Sequence, residues 1–460
     1  MQEMAQTLHF IVWGPWTMVL FLGTGLWFTV KSGGFQIRRI GYWWRMTAGS
    51  LWADDGGDSQ EGSHRITPFQ SACTALAATI GTGNIVGVAT ALTAGGPGAL
   101  FWMWISALIG MATAYAETSI GQKYRYRKPD GHWMCGPMVY MERGLGCRPL
   151  GVLYAFFAVC SSLGMGSMVQ SNSMSGTLEF GAGIPPLVSA VLVTAVTGAV
   201  ILGGISRISR VSERLMPVSA GIYVVFSLVV ILSGWNVLPR VIAAVFEGAF
   251  TPSAAGGGVA GFLLSRSVRY GMSRGVFSNE AGLGSMAVLH GAAEDTTPER
   301  QGMWAMFEVF FDTIIICTLT ALVILCVQFG NGGLPQGSDG AGLTAYCFSL
   351  SLGSVGEWLV SGAMVVFAFA TIIAWYYLGR QTACYLAERI FQRGDPGRNV
   401  EGLVKKSMRL YTALYLAAVF SGCICRLDVV WMISDIWNGL MAYPNLLTLW
   451  ILSGEVRVPR

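Results

Sequence analysis

Charge is scarce in this chain. Asp, Glu, Lys and Arg make up 12% of its 460 residues, against about a quarter in an ordinary soluble domain. Too few charges remain to coat two or three soluble domains. A disordered, collagen-like, coiled-coil or nucleic-acid-binding chain is excluded on the same grounds. Enzyme signatures are missing as well. The sequence has no HExxH, no GxSxG elbow and no GxxxxGK[ST] loop, so the common hydrolase motifs and a nucleotide-driven pump find no support. A potassium-type carbonyl filter is also absent. Ten cysteines are present, but none forms a CxxC pair. Most lie in or beside apolar runs and read as small buried hydrophobes rather than as disulfides or zinc ligands. Residues 1–10 hold no Lys or Arg, so the basic region of a cleavable secretory signal is lacking.

What the chain does have is apolar surface. Hydrophobic residues make up 53%, with 60 Gly, 23 Phe, 21 Met and 16 Trp, and the mean hydropathy is +0.54. Apolar runs long enough to cross a bilayer recur at about 10–30, 68–94, 97–121, 149–175, 184–204, 214–233, 258–291, 303–329, 355–378, 408–424 and 428–450. They predict an all-α polytopic membrane protein of about eleven transmembrane helices. The stretch from Val237 to Phe250 is amphipathic and is expected at the surface. No soluble domain can be cut out, so the whole of 1–460 reads as one membrane domain working within a lipid bilayer.

Basic residues are missing from alternate loops. Five Lys and Arg fall in 31–67, six in 122–148, three in 205–214 and seven in 379–409, whereas 95–96, 176–183 and 330–354 hold none. Basic residues favour the cytoplasmic side. The pattern predicts a multi-pass plasma-membrane protein with its N-terminus outside and C-terminus cytoplasmic. Arg266, Arg269 and Arg274 break the pattern; they either snorkel or face an outer vestibule.

Two spans are not ordinary apolar helices. One contains Ala77-Ala78-Thr79-Ile80-Gly81-Thr82-Gly83-Asn84, the other Gly275-Val276-Phe277-Ser278-Asn279-Glu280-Ala281-Gly282. Glycine lowers the cost of leaving helical dihedrals. Irregular backbone at membrane depth is tolerated only against protein or a water-filled cavity. An unwound stretch there offers carbonyls to a cation or ammonium and N–H groups to a carboxylate. The bland alternative is close helix packing through small residues. The two interruptions open two five-span sets, 68–233 and 258–450, after an additional first span at 10–30. An odd number of spans per set makes the second copy inverted, which predicts a 5+5 repeat core with two discontinuous helices.

Other polar groups sit inside spans. Gln170 is either a site residue or a clamp between helices. Thr371 either ligates a cation or bonds back to its own helix. Glu280 fits a cation-site charge, a proton carrier or a partner for Arg. Glu308 and Asp312 lie one turn apart on one face, suited to proton relay, packing or a mouth vestibule. Asp435 with Asn438 is equally open, and His290 reads as structural.

The segments Thr74–Ala91, Gly95–Ala99, Phe101–Trp104, Gly275–Ser285 and Val169–Ser173 resemble the alanine or glycine:cation symporter family, and the likeness runs from about residue 10 to 450. The resemblance implies an inverted-repeat fold shared with the neurotransmitter:sodium symporters. It further implies Na⁺-coupled import of a small neutral amino acid, alanine or glycine, by alternating access. Rival readings are proton coupling on the same fold, and an amino-acid-gated channel or receptor. Carried over by resemblance, the N–H groups of Thr82 and Gly83 would hold the substrate carboxylate. The carbonyls of Thr79, Phe277 and Ser278 would take its ammonium, with side-chain contacts from Gln170 and Asn279. Sodium would lie among the carbonyls of Ala77, Ile80 and Ala368 and the hydroxyl of Thr371, the oxygen-only set a hard cation prefers. Ser167 stands where the family more often carries Asn, which bears on the shape of the side-chain pocket.

Overall fold

Exposed apolar residues and buried polar ones set the architecture. In a computed structural model, described for residues 2–51, 65–250, 266–331, 333–334, 340–392, 400–425 and 428–459, large side chains such as Leu187, Val191, Val218 and Val225 face outward. Thr, Ser, Asn, Gln and Glu side chains lie buried. This inversion suits a lipid surround, where interior polar groups find partners in the protein.

The chain begins with α1 (Gln2–Val12) and α2 (Pro15–Lys31). They form one kinked span, because Pro15 lacks an N–H and holds Gly14 extended. Next comes α3 (Pro68–Thr79), which opens on a capping box. The Thr67 hydroxyl accepts from the Gln70 N–H, and the Gln70 side chain accepts from the Thr67 N–H. Its continuation α4 (Gly83–Gly95) is bent away by 51°. There follow α5 (Gly98–Tyr124), α6 (Arg148–Ala182), α7 (Pro186–Ile201), α8 (Gly204–Ser233) and α9 (Leu238–Ala249). The second half comprises α10 (Arg266–Asn279), α11 (Ser285–Leu289), α12 (Pro298–Gly330), α13 (Gly340–Leu352), α14 (Ser354–Phe391), α15 (Val400–Ile424) and α16 (Asp428–Ile451). A two-stranded hairpin, β1 (Tyr126–Arg127) with β2 (Trp133–Met134), joins α5 to the short helix before α6.

Among the described residues, seven helices are long and apolar enough to span on their own, and the bent pair α3–α4 makes an eighth. The other three expected spans correspond to α7, to α10 with α11, and to α16. The first of these is short; the second is too polar for a hydropathy window to register. Residues 258–265 of the expected seventh span lie outside the described residues. Two details differ from expectation. The bare loop 330–354 contains the helix α13, too short to be seen as a span. The amphipathic stretch does not merely rest on the surface: Val241, Val245 and Ala249 of α9 are buried, and Gly248 meets Gly98 at the start of α5 backbone to backbone.

Candidate functional site

Backbone geometry builds the site first. At the end of α3 Ile80 turns extended (ψ 95°), and helical winding resumes at Gly83 with a widened π-helical turn through Gly87. The Asn84 side chain caps the gap by accepting from the Gly81 N–H at 2.9 Å. The second break lies between α10 and α11. There Glu280, Gly282 and Gly284 all take positive φ, at 54°, 94° and 92°. Two glycines make that turn inexpensive, and Glu280 is a non-glycine residue held in a sparsely populated conformation.

The two breaks face each other. A β-carbon on Gly83 would lie 3.4 Å from both the Phe277 ring and Ser278 Cα. Gln170 reaches in from α6, where a π-helical turn over Gly164–Val169 re-aims the helix. Its Oε1 accepts from the Thr82 N–H at 3.4 Å. Thr371 of α14 donates to its own helix at Phe367 O (3.0 Å) and lies 3.4 Å from Ile80 O. Ala77 and Ala368 flank this contact on α3 and α14, both fully buried. A β-carbon on Gly81 would lie 2.6 Å from Thr371 Oγ1, so the hydroxyl rests directly on the break.

Several expected site residues make other contacts through their side chains. The Thr79 hydroxyl donates to Glu308 Oε1 at 3.2 Å. The Ser278 hydroxyl donates to Asp312 Oδ2 at 2.7 Å. The Asn279 amide donates to Thr313, and its Oδ1 accepts from the Ala281 N–H. That amide therefore shapes the turn, while Gln170 reaches the other break. Asn172, two residues along the same polar run, clamps α6 to α15 through the carbonyls of Gly422 and Cys425.

The partners of Asp312 and Glu280, and the roles of Asn84, Trp375, Glu117 and Trp431, were not singled out in the sequence. Asn84 Nδ2 donates to Asp312 Oδ1 at 2.6 Å, so Asp312 ties α4, α10 and α12 together beside the breaks. The Trp375 indole donates to Glu280 Oε1 at 3.1 Å, in place of the Arg partner considered for Glu280. Glu280 Oε2 is buried without a hydrogen bond, and Ser285 stands beside it without meeting hydrogen-bond geometry. Glu117 of α5 is also buried, receiving Asn445 Nδ2 of α16 at 2.9 Å and the Ala287 N–H of α11. Beside the breaks, Met165, Val169 and Phe277 form a separate apolar cluster with Trp431 packed against it, its ring stacked on Phe277 at 6.4 Å. The Arg274 guanidinium lies 5.6 Å from the centre of the Phe277 ring. Among the described residues no group of three or more His, Cys, Asp or Glu side chains could hold a metal ion.

On the side of the basic loops a cavity of about 890 Å³ opens among Arg127, Lys128, Tyr377, Arg380 and Lys405. Burial pulls the Lys128 ammonium down, but Glu388 at 2.8 Å more than offsets it and holds the group above the ordinary lysine value. This ion pair ties the hairpin to α14.

A predominantly helical membrane chain with two opposed helix breaks has the architecture of a secondary transporter. The chain belongs to the sodium:alanine symporter family, whose model matches residues 1–458. It is 41% identical to an uncharacterized transporter of Haemophilus influenzae, over 97% of this chain and 93% of that one. It is 38% identical to the sodium/alanine symporter AgcS of Methanococcus maripaludis, over 99% of this chain and 95% of that one. Among solved structures it resembles MhsT in complex with L-phenylalanine, with a TM-score of 0.58 at 15% identity, covering 85% of this chain and 89% of that one. That likeness establishes the shared fold.

Proposed function

We propose that this chain is a sodium-coupled symporter that imports a small neutral amino acid, alanine or glycine, with its N-terminus outside and its C-terminus in the cytoplasm. The observation that carries this reading is the convergence of the two breaks with Gln170 and Thr371 at one buried locus. The zwitterion's carboxylate binds at the N–H groups of Thr82 and Gly83, beside Gln170. Its ammonium binds at the carbonyls of Thr79, Phe277 and Ser278, and Asp312, bonded to Ser278, supplies negative charge on that side. Sodium bridges α3 and α14 through the carbonyls of Ala77, Ile80 and Ala368 and the Thr371 hydroxyl. That ion favours the substrate-ready arrangement, and substrate permits the opposite opening. Coupling follows when each ligand binds one state better than the other. The basic-lined cavity is the release vestibule.

The test is uptake of labelled alanine and glycine into proteoliposomes under imposed gradients. A Na⁺ gradient is expected to drive accumulation above equilibrium. Accumulation driven by a pH gradient and not by Na⁺ would overturn the sodium assignment. Downhill flux without accumulation would make the protein a channel.

A further inference from the structure

The interior holds four carboxyl side chains that the proposed sodium site does not use. Glu117, Glu280, Glu308 and Asp312 are all buried. Among the described residues no Lys or Arg forms an ion pair with any of the four. Uncompensated anions in a low-dielectric interior are strongly disfavoured, so these carboxyls are met by bound protons, other cations or hydrogen bonds.

Glu308 differs from the other three in its partner. Its Oε2 lies 2.8 Å from His290 Nε2, and both residues are fully buried. The Gln301 amide nitrogen lies 2.7 Å from His290 Nδ1, so Nδ1 accepts and the neutral ring carries its proton on Nε2, toward Glu308. Glu308 Oε1 accepts from Thr79, so both carboxylate oxygens are committed. Gln301 Oε1 in turn accepts from Thr296, a half-buried residue near the membrane surface. An imidazole nitrogen is a poor ligand for sodium, which prefers oxygen, but a good acceptor for a proton.

As carboxylate with neutral imidazole the pair carries one negative charge, and among the described residues no Lys or Arg is paired with it. On the packed elements stand Thr79 and Cys73 of α3, and Glu117 and Gln122 of α5. Glu280 is at the second break, Asp312, Glu299 and Arg300 are on α12, Glu294 and Asp295 follow His290, and Arg45 lies on the short helix Ile40–Met46. Arg125 comes near, but its guanidinium is spent on the carbonyls of Gly291 and Ala293.

We propose that Glu308 and His290 form a proton-binding site, separate from the sodium site, whose occupancy is linked to substrate through Thr79. The added proton is taken from solution onto Glu308 Oε1 and leaves the pair neutral as carboxylic acid with imidazole: Oε1 then donates to the Thr79 hydroxyl, whose own proton turns to the Ala75 or Leu76 carbonyl, while Oε2 still accepts from His290 Nε2 and Gln301 still donates to Nδ1. Thr79 ends α3 next to the first break and donates its hydroxyl to Glu308. A change at the break on substrate binding therefore alters the proton's environment directly. This inference rests on the transporter reading.

The experiment adds alanine, in the presence of Na⁺, to the full-length protein in detergent and weakly buffered solution, with a dye reporting protons exchanged per alanine bound. The same dye inside proteoliposomes follows proton movement during Na⁺-driven uptake. The wild-type protein is expected to exchange protons with alanine, and its alanine affinity to vary with pH. Glu308→Gln is expected to keep Na⁺-dependent alanine binding while losing the proton exchange and flattening the pH profile. His290→Gln, which retains a hydrogen-bonding group, is expected to do the same, and Glu308→Asp to restore part of the exchange. Wild-type proton exchange persisting in both Glu308→Gln and His290→Gln would overturn the proposal. So would alanine binding by the wild type with no proton exchange and no pH dependence, a result that leaves the sodium symporter reading standing. Absence of any Na⁺-dependent alanine or glycine binding would instead remove the transporter reading on which this one rests.

Discussion

Gly81 has no room for a β-carbon, because Thr371 Oγ1 would stand 2.6 Å from it. Gly81→Ala should push that hydroxyl off the break and weaken apparent Na⁺ affinity at least about tenfold, roughly 1.4 kcal/mol. Titration of uptake against Na⁺ checks this. Thr371→Ala removes the proposed ligand without the clash. It should lower Na⁺ dependence more than it lowers substrate binding at saturating Na⁺, and equal loss of both would count against the ligand role. The apolar cluster makes a different prediction. Trp431 packs against Met165, Val169 and Phe277 beside the breaks, so Trp431→Ala should make room for a longer side chain. Leucine uptake relative to alanine is expected to rise about tenfold or more, the scale of a few methylenes in an apolar pocket. Competition by unlabelled leucine measures it.

The breaks are what a helix-by-helix reading finds most readily. Clustered Gly with Thr, Ser and Asn inside an apolar run announces backbone that cannot stay helical, and both breaks fall where those clusters stand. Partners were less legible. Glu117 sits alone in a helix of 27 residues, and nothing local says that Asn445, far along the chain, will meet it. By resemblance both Asn279 and Gln170 were expected to reach the substrate, Gln170 ahead of Asn279. Only the fold shows that one caps its own turn while the other crosses to the opposite break. The helix α13, at 13 residues, was invisible to any search for membrane-length runs. The second break has its own mechanical test. Gly284 has φ 92°, and a β-carbon there would lie 2.4 Å from the Tyr154 hydroxyl and from Pro137. Gly284→Ala should therefore destabilise the protein by about 1–3 kcal/mol, seen as a lower unfolding temperature in detergent.

For the molecule as a whole, the order of spans was set by apolar length and their sense by the unequal loops. Two cysteines allow the proposed orientation to be checked without adding residues. Cys425 is exposed in the turn between α15 and α16, and Cys147 is partly exposed before α6. A membrane-impermeant thiol reagent should label Cys425 on intact cells and reach Cys147 only after permeabilisation. The reverse pattern would invert the topology.

The half-helices α3 and α4 carry one more implication. At 12 residues for α3, and a rise of about 1.5 Å per residue, the first covers roughly 18 Å, a little over half of a hydrocarbon core about 30 Å thick. An ion held where the two halves meet has therefore crossed about half of the electric field. Each 100 mV of membrane potential then contributes about 1.1 kcal/mol to its binding from one side, roughly a sixfold change in apparent affinity. A cation bound beside the bend at Gly81, as proposed, would therefore respond to membrane voltage as well as to its own concentration.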